Sequence, residues 1–422
     1  MNKAMATLVA HKLQQTQLPL QIRLRSGQHL GPDDAKVTLY VHDYTTLKHL
    51  ANGHIGDLAS AIVEGQADLD GNMRDVMALA SALLAQSPIY AHNSWWARLF
   101  KYGHSVAQHT LHQDAENIQF HYDVSDDFYA LWLDPRRVYS CAYFRDANMD
   151  LAAAQAAKLD LICRKLHLQA DERLLDIGCG WGGLLVYAAE HYGIQGTGIT
   201  LSQNQYAYAQ ALIAQKGLQD RLSIHLCDYR QFQADSPFDK IASVGMFEHV
   251  GRAHMTAYFQ TVRRLVKPGG LILNHGITAG GTRNSQLGGG MGDFIEKYIF
   301  PGGELLHIGD VLQYVADANL EAVDIENLRP HYAKTLWAWS DALEAQLPAA
   351  LATLENTLNP AQANRVLRAY RLYLAGCAMS FEHAWISIHQ ILVSAPDGDI
   401  NHGRLRGAQS DYPFQRDWMY LT

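Results

Sequence analysis

The residues best equipped for chemistry cluster at a few sharp turns. At residues 173–183 the run RLLDIGCGWGG ends an apolar stretch in Gly178, Gly180, Gly182 and Gly183, and a new apolar run follows. Glycines let the backbone approach a ligand and adopt positive φ, and a helix start offers free N–H groups, so the turn suits a nucleotide-like ligand. Taken alone, a tight structural turn would read the same way. Farther on, GTGITLSQNQ carries Thr200, Ser202 and Gln205; CDYRQF carries Asp228, Tyr229 and Arg230; SVGMFEHVG carries Glu248 and His249; and KPGGLILNHGIT carries His275. A dinucleotide dehydrogenase places an acidic residue after its second strand to hold a ribose hydroxyl. Thr200, Ser202 and Gln205 stand there instead, which weakens that reading. Asp228 suits the amino group of an adenine. Glu248 and His275 are residue types that exchange protons.

Periodicity supplies the elements that must hold these residues. Strands are expected at about 173–177, 194–200, 222–227, 239–245 and 271–276, with helices near 183–192, 203–216 and 254–266. Alternation of this kind gives an α/β domain with a doubly wound, mostly parallel, Rossmann-like sheet. Ligands gather at the carboxyl ends of such strands, so the residues above are expected to be neighbours. Two helix-rich stretches, YAKTLWAWSDALEAQL and NRVLRAYRLYLAGCAMSFEHAWISIHQILV, read as helical lid insertions over the sheet.

The chain ahead of this domain reads as a small α+β unit, residues 1–88. LQIRL and KVTLYVHD alternate like strands, LKHLANG and MRDVMALASALLA are spaced like helices, and EGQADLDGNM supplies turn chemistry. Asp68, Asp70 and Asp75 read there as solvated turn carboxylates rather than a metal site. A connector at 89–117 carries Trp95, Trp96, Leu99 and Phe100 at helical spacing beside Arg98 and Lys101, a pattern that fits a membrane-docking helix or a helix packed between domains. Asp123, Ser125 and Asp127 are placed to cap a helix beginning near Asp126. Residues 118–422 form the expected catalytic domain.

Composition narrows the class. The 422 residues are 48% hydrophobic and 18% charged, enough for a large core, and the formal net charge of -8 argues against nucleic acid as a partner. Five cysteines without a CxxC pair fit reduced thiols in a cytoplasmic protein, with neither a disulfide framework nor a metal cluster. The first residues show no convincing cleavage site, so a secretory signal is not expected, and no apolar run reaches the ~20 residues that span a bilayer.

Together, DIGCGWGG, TLSQNQ, DYR, SVGMFEHVG and KPGG resemble a class I S-adenosylmethionine-dependent methyltransferase. With YSCAYF, EKYIFPGG and HYAKTLWAW they resemble the cyclopropane-fatty-acyl-phospholipid synthase family, from about residue 117 onward, while the first 88 residues loosely resemble a sterol-carrier-like lipid-binding module. The resemblance implies transfer of a methylene from S-adenosylmethionine to a cis double bond of an acyl chain in a membrane phospholipid. It implies donor binding by Tyr139, Ser140, Asp176, Gly178, Gly180, Thr200, Leu201, Gln205, Asp228, Tyr229 and Arg230. It further implies bicarbonate held by Cys141, Glu248, His275, Ile277 and Tyr332, with Cys141 and Ile277 giving mainly backbone groups. A homodimer working from the cytoplasm at the inner membrane face is expected on the same ground.

An alkene is a weak nucleophile, so such chemistry needs a close, aligned sulfonium, exclusion of water, and a base that removes a proton from the cationic product of methyl transfer. Tyr129, Phe144, Tyr298 and Phe300 could face that cation with their rings or simply pack the acyl chain. A nucleophilic role for Cys141 is not needed. Open alternatives are a fatty-acyl methyltransferase giving a methyl-branched or methylenated chain, a methyltransferase for a small soluble molecule, and a lipid-binding protein without activity.

Overall fold

A computed structural model describes residues 9–11, 13, 18–84, 88–90, 125–282, 287–396, 412–413 and 415–420. Nearly all of the predicted connector, including its aromatic stripe, lies outside these residues, as does Asp123. The chain forms two compact units, one of residues 1–93, 285–301 and 336–385, the other of 94–284, 302–335 and 386–422. This corrects the expected division at 88 and 118. Segments expected to belong wholly to the catalytic domain group instead with the N-terminal residues.

In the first unit, β1 (Leu20–Leu24), β2 (His29–Leu30), β3 (Val37–Val41) and β4 (Ala67–Asp70) form a sheet in the order β2-β1-β3-β4. Strand β3 alternates as its sequence does, burying Val37, Leu39 and Val41. The stretch expected as turn chemistry contains β4, because Ala67 and Leu69 pair with Val41 and Leu39. Helices α1 (Thr46–Asn52), α2 (Ile55–Val63) and α3 (Met73–Leu83) accompany the sheet. The unit also holds helices Met291–Tyr298, Leu347–Glu355 and Pro360–Glu382. Asp68 is engaged by Arg368 at 2.6 Å and by His42 at 2.8 Å, and Asp75 by Lys36 at 3.4 Å.

The second unit is the expected α/β domain. Its elements run α4 (Asp126–Ala130), α5 (Leu151–Lys165), β5 (Arg173–Ile177), α6 (Gly183–Tyr192), β6 (Gln195–Thr200), α7 (Gln203–Lys216), β7 (Leu222–Leu226), β8 (Phe238–Val244), α8 (Met255–Leu265) and β9 (Val266–Ala279). Then come α9 (Ile308–Asp317), β10 (Glu321–Asn327), the start of α10 (Arg329–Glu344), whose residues from 336 onward group with the first unit, β11 (Ile386–Ser394) and α11 (Asp417–Tyr420). The seven-stranded order is β10-β11-β9-β8-β5-β6-β7, parallel from β9 to β7, with β11 antiparallel to both neighbours.

Strand β11 is the main departure from expectation. ISIHQILV was read as part of a helix-rich lid, yet it fills the sheet between β9 and β10, with Ile386 and the run from Ile388 to Ser394 buried. A strand covered on both faces is apolar throughout and loses the alternation that marks a half-buried one. Strand β9 is also longer than expected and carries both His275 and Ile277.

Candidate functional site

All eleven residues implied as donor ligands line one pocket at the carboxyl ends of β5, β6 and β7. The glycine turn forms its floor. Gly178, Gly180 and Gly182 have φ of 82°, 55° and 84°, a region that costs glycine little, and a Cβ at Gly180 would meet no atom within 4 Å. The pocket wall after β6 is pre-formed: Ser202 caps α7 by accepting from the Gln205 N–H at 3.3 Å, and the Thr200 hydroxyl donates to Gln205 Oε1 at 2.9 Å. Asp228 is bound by its own neighbour, with Arg230 Nε at 2.8 Å and Nη2 at 2.6 Å. That carboxylate is therefore already neutralised, and any adenine amino group would share it.

Rings from the 125–139 region stand beside the turn. Ser125 caps α4, accepting from Phe128 N at 3.3 Å, which fixes Tyr129 and Trp132 in the interior. Tyr129 lies 5.5 Å from Tyr139 and 5.4 Å from Trp181, ring to ring. Such tilted ring packing builds an apolar cluster beside the donor pocket. Of the other rings considered for a cation, Phe144 already faces the ammonium of Lys334 at 4.2 Å, whereas Tyr298 and Phe300 belong to the first unit.

A second cluster forms where β8, β9, β11 and the start of α10 meet. Glu248 is buried, and its Oε1 accepts from the Ile277 N–H at 2.6 Å. The N–H of Ile277, a residue implied as an anion ligand through its backbone, is thus engaged by Glu248. Gly276 makes room: a Cβ there would lie 1.9 Å from the Phe247 ring and 3.0 Å from Glu248 Oε2. Opposite His275 in the ladder stands Gln390, whose Nε2 donates to His275 Nδ1 at 3.1 Å. Ile388 pairs with Ile277 and accepts from Leu328 N at 3.0 Å. The Leu328 carbonyl in turn accepts from Tyr332 N at 3.1 Å and faces the Cys141 thiol at 3.9 Å. One continuous hydrogen-bonded frame thus brings together all five residues implied as anion ligands.

Electrostatics divide this cluster from ordinary core. Burial pushes the Glu248 carboxyl up to about 7 against the pull of the Ile277 N–H, and burial holds His275 neutral, well below its usual value. With the amide in this orientation Nδ1 accepts from Gln390, which assigns the proton of the neutral imidazole to Nε2. Glu248 Oε2 and His275 Nε2 are both buried without a partner among the described residues. Among the described residues an acceptor and a donor are thus left without a hydrogen-bond partner, which is costly unless a ligand completes them. Burial also raises the Cys141 thiol far above its usual range, so it stays protonated and is no nucleophile.

Sequence reasoning missed Lys158, Gln390 and Gly276. Lys158 lines the donor pocket from α5, and Gln390 lies on the strand that reads as helix. The only signal for Gly276 is its place between His275 and Ile277.

A family model described as mycolic acid cyclopropane synthetase matches residues 109–391. The chain belongs to this family. A probable fatty acid methyltransferase of Pseudomonas putida is 41% identical over 410 residues, covering 97% of this chain and 98% of its own. Cyclopropane mycolic acid synthase 1 of Mycobacterium tuberculosis is 39% identical over 65% of this chain and 95% of its own. Among solved structures, a mycolic acid cyclopropane synthase complexed with SAH and CTAB superposes with a TM-score of 0.61 at 38% identity, over 66% of this chain and 98% of its own.

This member of the mycolic acid cyclopropane synthetase family is an S-adenosylmethionine-dependent methyltransferase. The donor pocket fits that assignment on its own geometry. The glycine floor admits close approach of a ligand, and Asp176 Oδ1 is buried on the pocket wall without a partner among the described residues, suited to the ammonium group of an amino-acid moiety. Among the described residues no helix is long and apolar enough to cross a membrane.

Proposed function

We propose that the protein transfers a methylene from S-adenosylmethionine to the cis double bond of an unsaturated acyl chain in a membrane phospholipid, closing a cyclopropane ring with bicarbonate as base. The observation that carries this reading is the pair of unpartnered buried atoms, Glu248 Oε2 and His275 Nε2, one an acceptor and one a donor. Bicarbonate has one O–H to donate and oxygens to accept, which matches that pair.

S-adenosylmethionine supplies a methyl group on a sulfonium, and bicarbonate supplies a base that the apolar surroundings lack. The chain's own residues do the rest. The 178–180 turn and the 200–205 wall fix the donor's place, while Tyr129, Tyr139 and Trp181 exclude water from a reaction that passes through a cation. Gln390 holds the imidazole so that Nε2–H points its proton at an acceptor, and the Ile277 N–H holds Glu248 by one oxygen, leaving the other to receive a hydrogen bond. A carboxyl near 7 is matched to proton exchange at neutral pH. Tyr332 and the backbone near Cys141 would complete the anion's shell.

The sibling reading, a methyl-branched or methylenated product, shares every step up to proton loss. It is supported by the fatty acid methyltransferase that matches almost the full length of this chain. Incubation with labelled S-adenosylmethionine and vesicles of cis-unsaturated phospholipid is expected to yield acyl chains one methylene heavier, with ring protons in the NMR spectrum. Labelled chains with vinylidene or methyl-branch signals and no ring protons would favour the sibling. Label appearing only in water-soluble product would remove both. A peripheral, cytoplasmic homodimer completes the proposal, with vesicle flotation and sedimentation as its checks.

A further inference from the structure

Residues 138–142 have no regular structure, yet they are gripped from two sides. Helix α5 holds one side: Gln155 Nε2 donates to Ser140 O at 2.9 Å and to Val138 O at 3.2 Å, and Lys158 Nζ donates to the Ser140 hydroxyl at 2.7 Å. Thr335 holds the other, its hydroxyl oxygen accepting from Ala142 N at 3.0 Å. Tyr139 and Ser140 line the donor pocket, whereas Cys141 faces Leu328 beside Tyr332. One short segment therefore belongs to both sites.

Lys158 is 1% exposed and Asp176 2% exposed, and both line the donor pocket. A hydrogen bond to a serine needs no charge, and burying an ammonium is costly unless acidic groups answer it. The charges of Asp134 and Asp176 favour the ammonium form of Lys158, and Lys158 in turn favours the carboxylate form of Asp176. We infer that Lys158 is a positioning residue of the donor site: its ammonium fixes the 139–141 turn through Ser140 and keeps Asp176 ionised, so that the free Asp176 oxygen can receive the ammonium of the donor's amino-acid end.

Burial pushes Asp176 up to about 7 even with Lys158 beside it, and burial brings Lys158 down to about 8. Each charge supports the other, so the pair responds to the loss of either. The donor site alone is at stake here, whatever acyl substrate the protein takes, so the experiment uses no lipid.

Calorimetric binding of S-adenosylhomocysteine is followed from pH 6 to 8 for the full-length protein, K158M, K158R and D176N, with circular dichroism to verify folding. In the native protein affinity is expected to weaken as pH falls through about 7, as Asp176 takes up a proton. K158M removes the cation that keeps the carboxylate ionised, so its midpoint moves upward and affinity at neutral pH falls about tenfold. K158R retains the charge and is expected to keep the native midpoint, with a smaller loss. D176N, which stands in if K158M does not fold, is expected to bind weakly with no pH dependence across this range. A folded K158M with the native midpoint, or a D176N that titrates like the native protein, would overturn the inference.

Discussion

The two halves of the candidate site solve opposite problems. In the donor pocket the polar side chains other than Asp176 are largely satisfied by one another: Thr200 with Gln205, Ser202 with the start of α7, Asp228 with Arg230. In the cluster around Glu248 and His275 three buried polar atoms, Glu248 Oε2, His275 Nε2 and Gln390 Oε1, have no partner among the described residues, and the carboxyl is driven toward neutrality. Preorganised walls suit a ligand that must be held, because little ordering remains to be done on binding. An unfinished polar shell suits a site that handles a proton, because whatever completes it becomes the most strongly held group present. The difference teaches that binding and chemistry are separable here, and each substitution below should damage one half while sparing the other.

Glu248→Gln should part them most sharply. The amide keeps the shape but cannot exchange a proton, so turnover is expected to fall at least ~100-fold while S-adenosylhomocysteine binding stays native, since Glu248 does not line the donor pocket. Equal loss of both would show the two halves to be one site. The same variant has a stability signature. Glu248 is raised from 4.5 to about 7 in the folded protein, so folding favours its protonated form, and that contribution is lost as pH rises through about 7. Above pH 7 the native protein must bury an ionised carboxylate. Removing that burden is expected to stabilise Glu248→Gln by about 1–3 kcal/mol at pH 8 and by much less at pH 5, measured by denaturant titration.

Next in size is Gly276→Ala. The added methyl would lie 1.9 Å from the Phe247 ring, so either the ring or β9 must shift, at a cost of about 1–3 kcal/mol. Because Phe247 adjoins Glu248, turnover is expected to fall more than tenfold with donor binding retained. Gln390→Leu should follow. Loss of the amide leaves the imidazole without the partner that orients it, and turnover is expected to fall about tenfold. A native kcat in that variant would mean that the ladder alone orients His275.

How much of this was legible follows from the same contrast. The donor pocket is built from strand, turn and helix contiguous in the chain, so the glycine turn, Thr200, Gln205 and Asp228 could be read from local pattern and all reach the pocket. The unfinished cluster could not be assembled that way. Glu248 and His275 were visible as residue types, but the partner of His275 comes from the antiparallel β11, whose mostly apolar, non-alternating sequence reads equally as helix. Gln390 was hidden with it. Lys158 was hidden for another reason: an amphipathic helix pattern assigns a lysine to water, and only the tertiary structure turns this one inward toward Ser140. The division into units also escaped, because residues 336–385 join the N-terminal sheet across a separation that no local pattern records.

The smallest effect should come from Ser202→Ala, and it tests the comparison from the binding side. Ser202 Oγ accepts the Gln205 N–H at 3.3 Å, and the Ser202 N–H is in turn donated to Thr200 Oγ1 at 3.2 Å, so one hydroxyl ties the end of β6 to the first turn of α7. Losing an N-cap of this kind costs about 1 kcal/mol. The wall would still form but would be less ordered before the ligand arrives, so the loss should appear in affinity and not in chemistry. S-adenosylhomocysteine is expected to bind a few-fold more weakly, while kcat at saturating donor stays native, because none of the atoms around Glu248 and His275 depends on this cap. A drop in kcat with unchanged affinity would mean that the wall after β6 reaches into the proton-handling cluster, and that the separation between the two halves is not real.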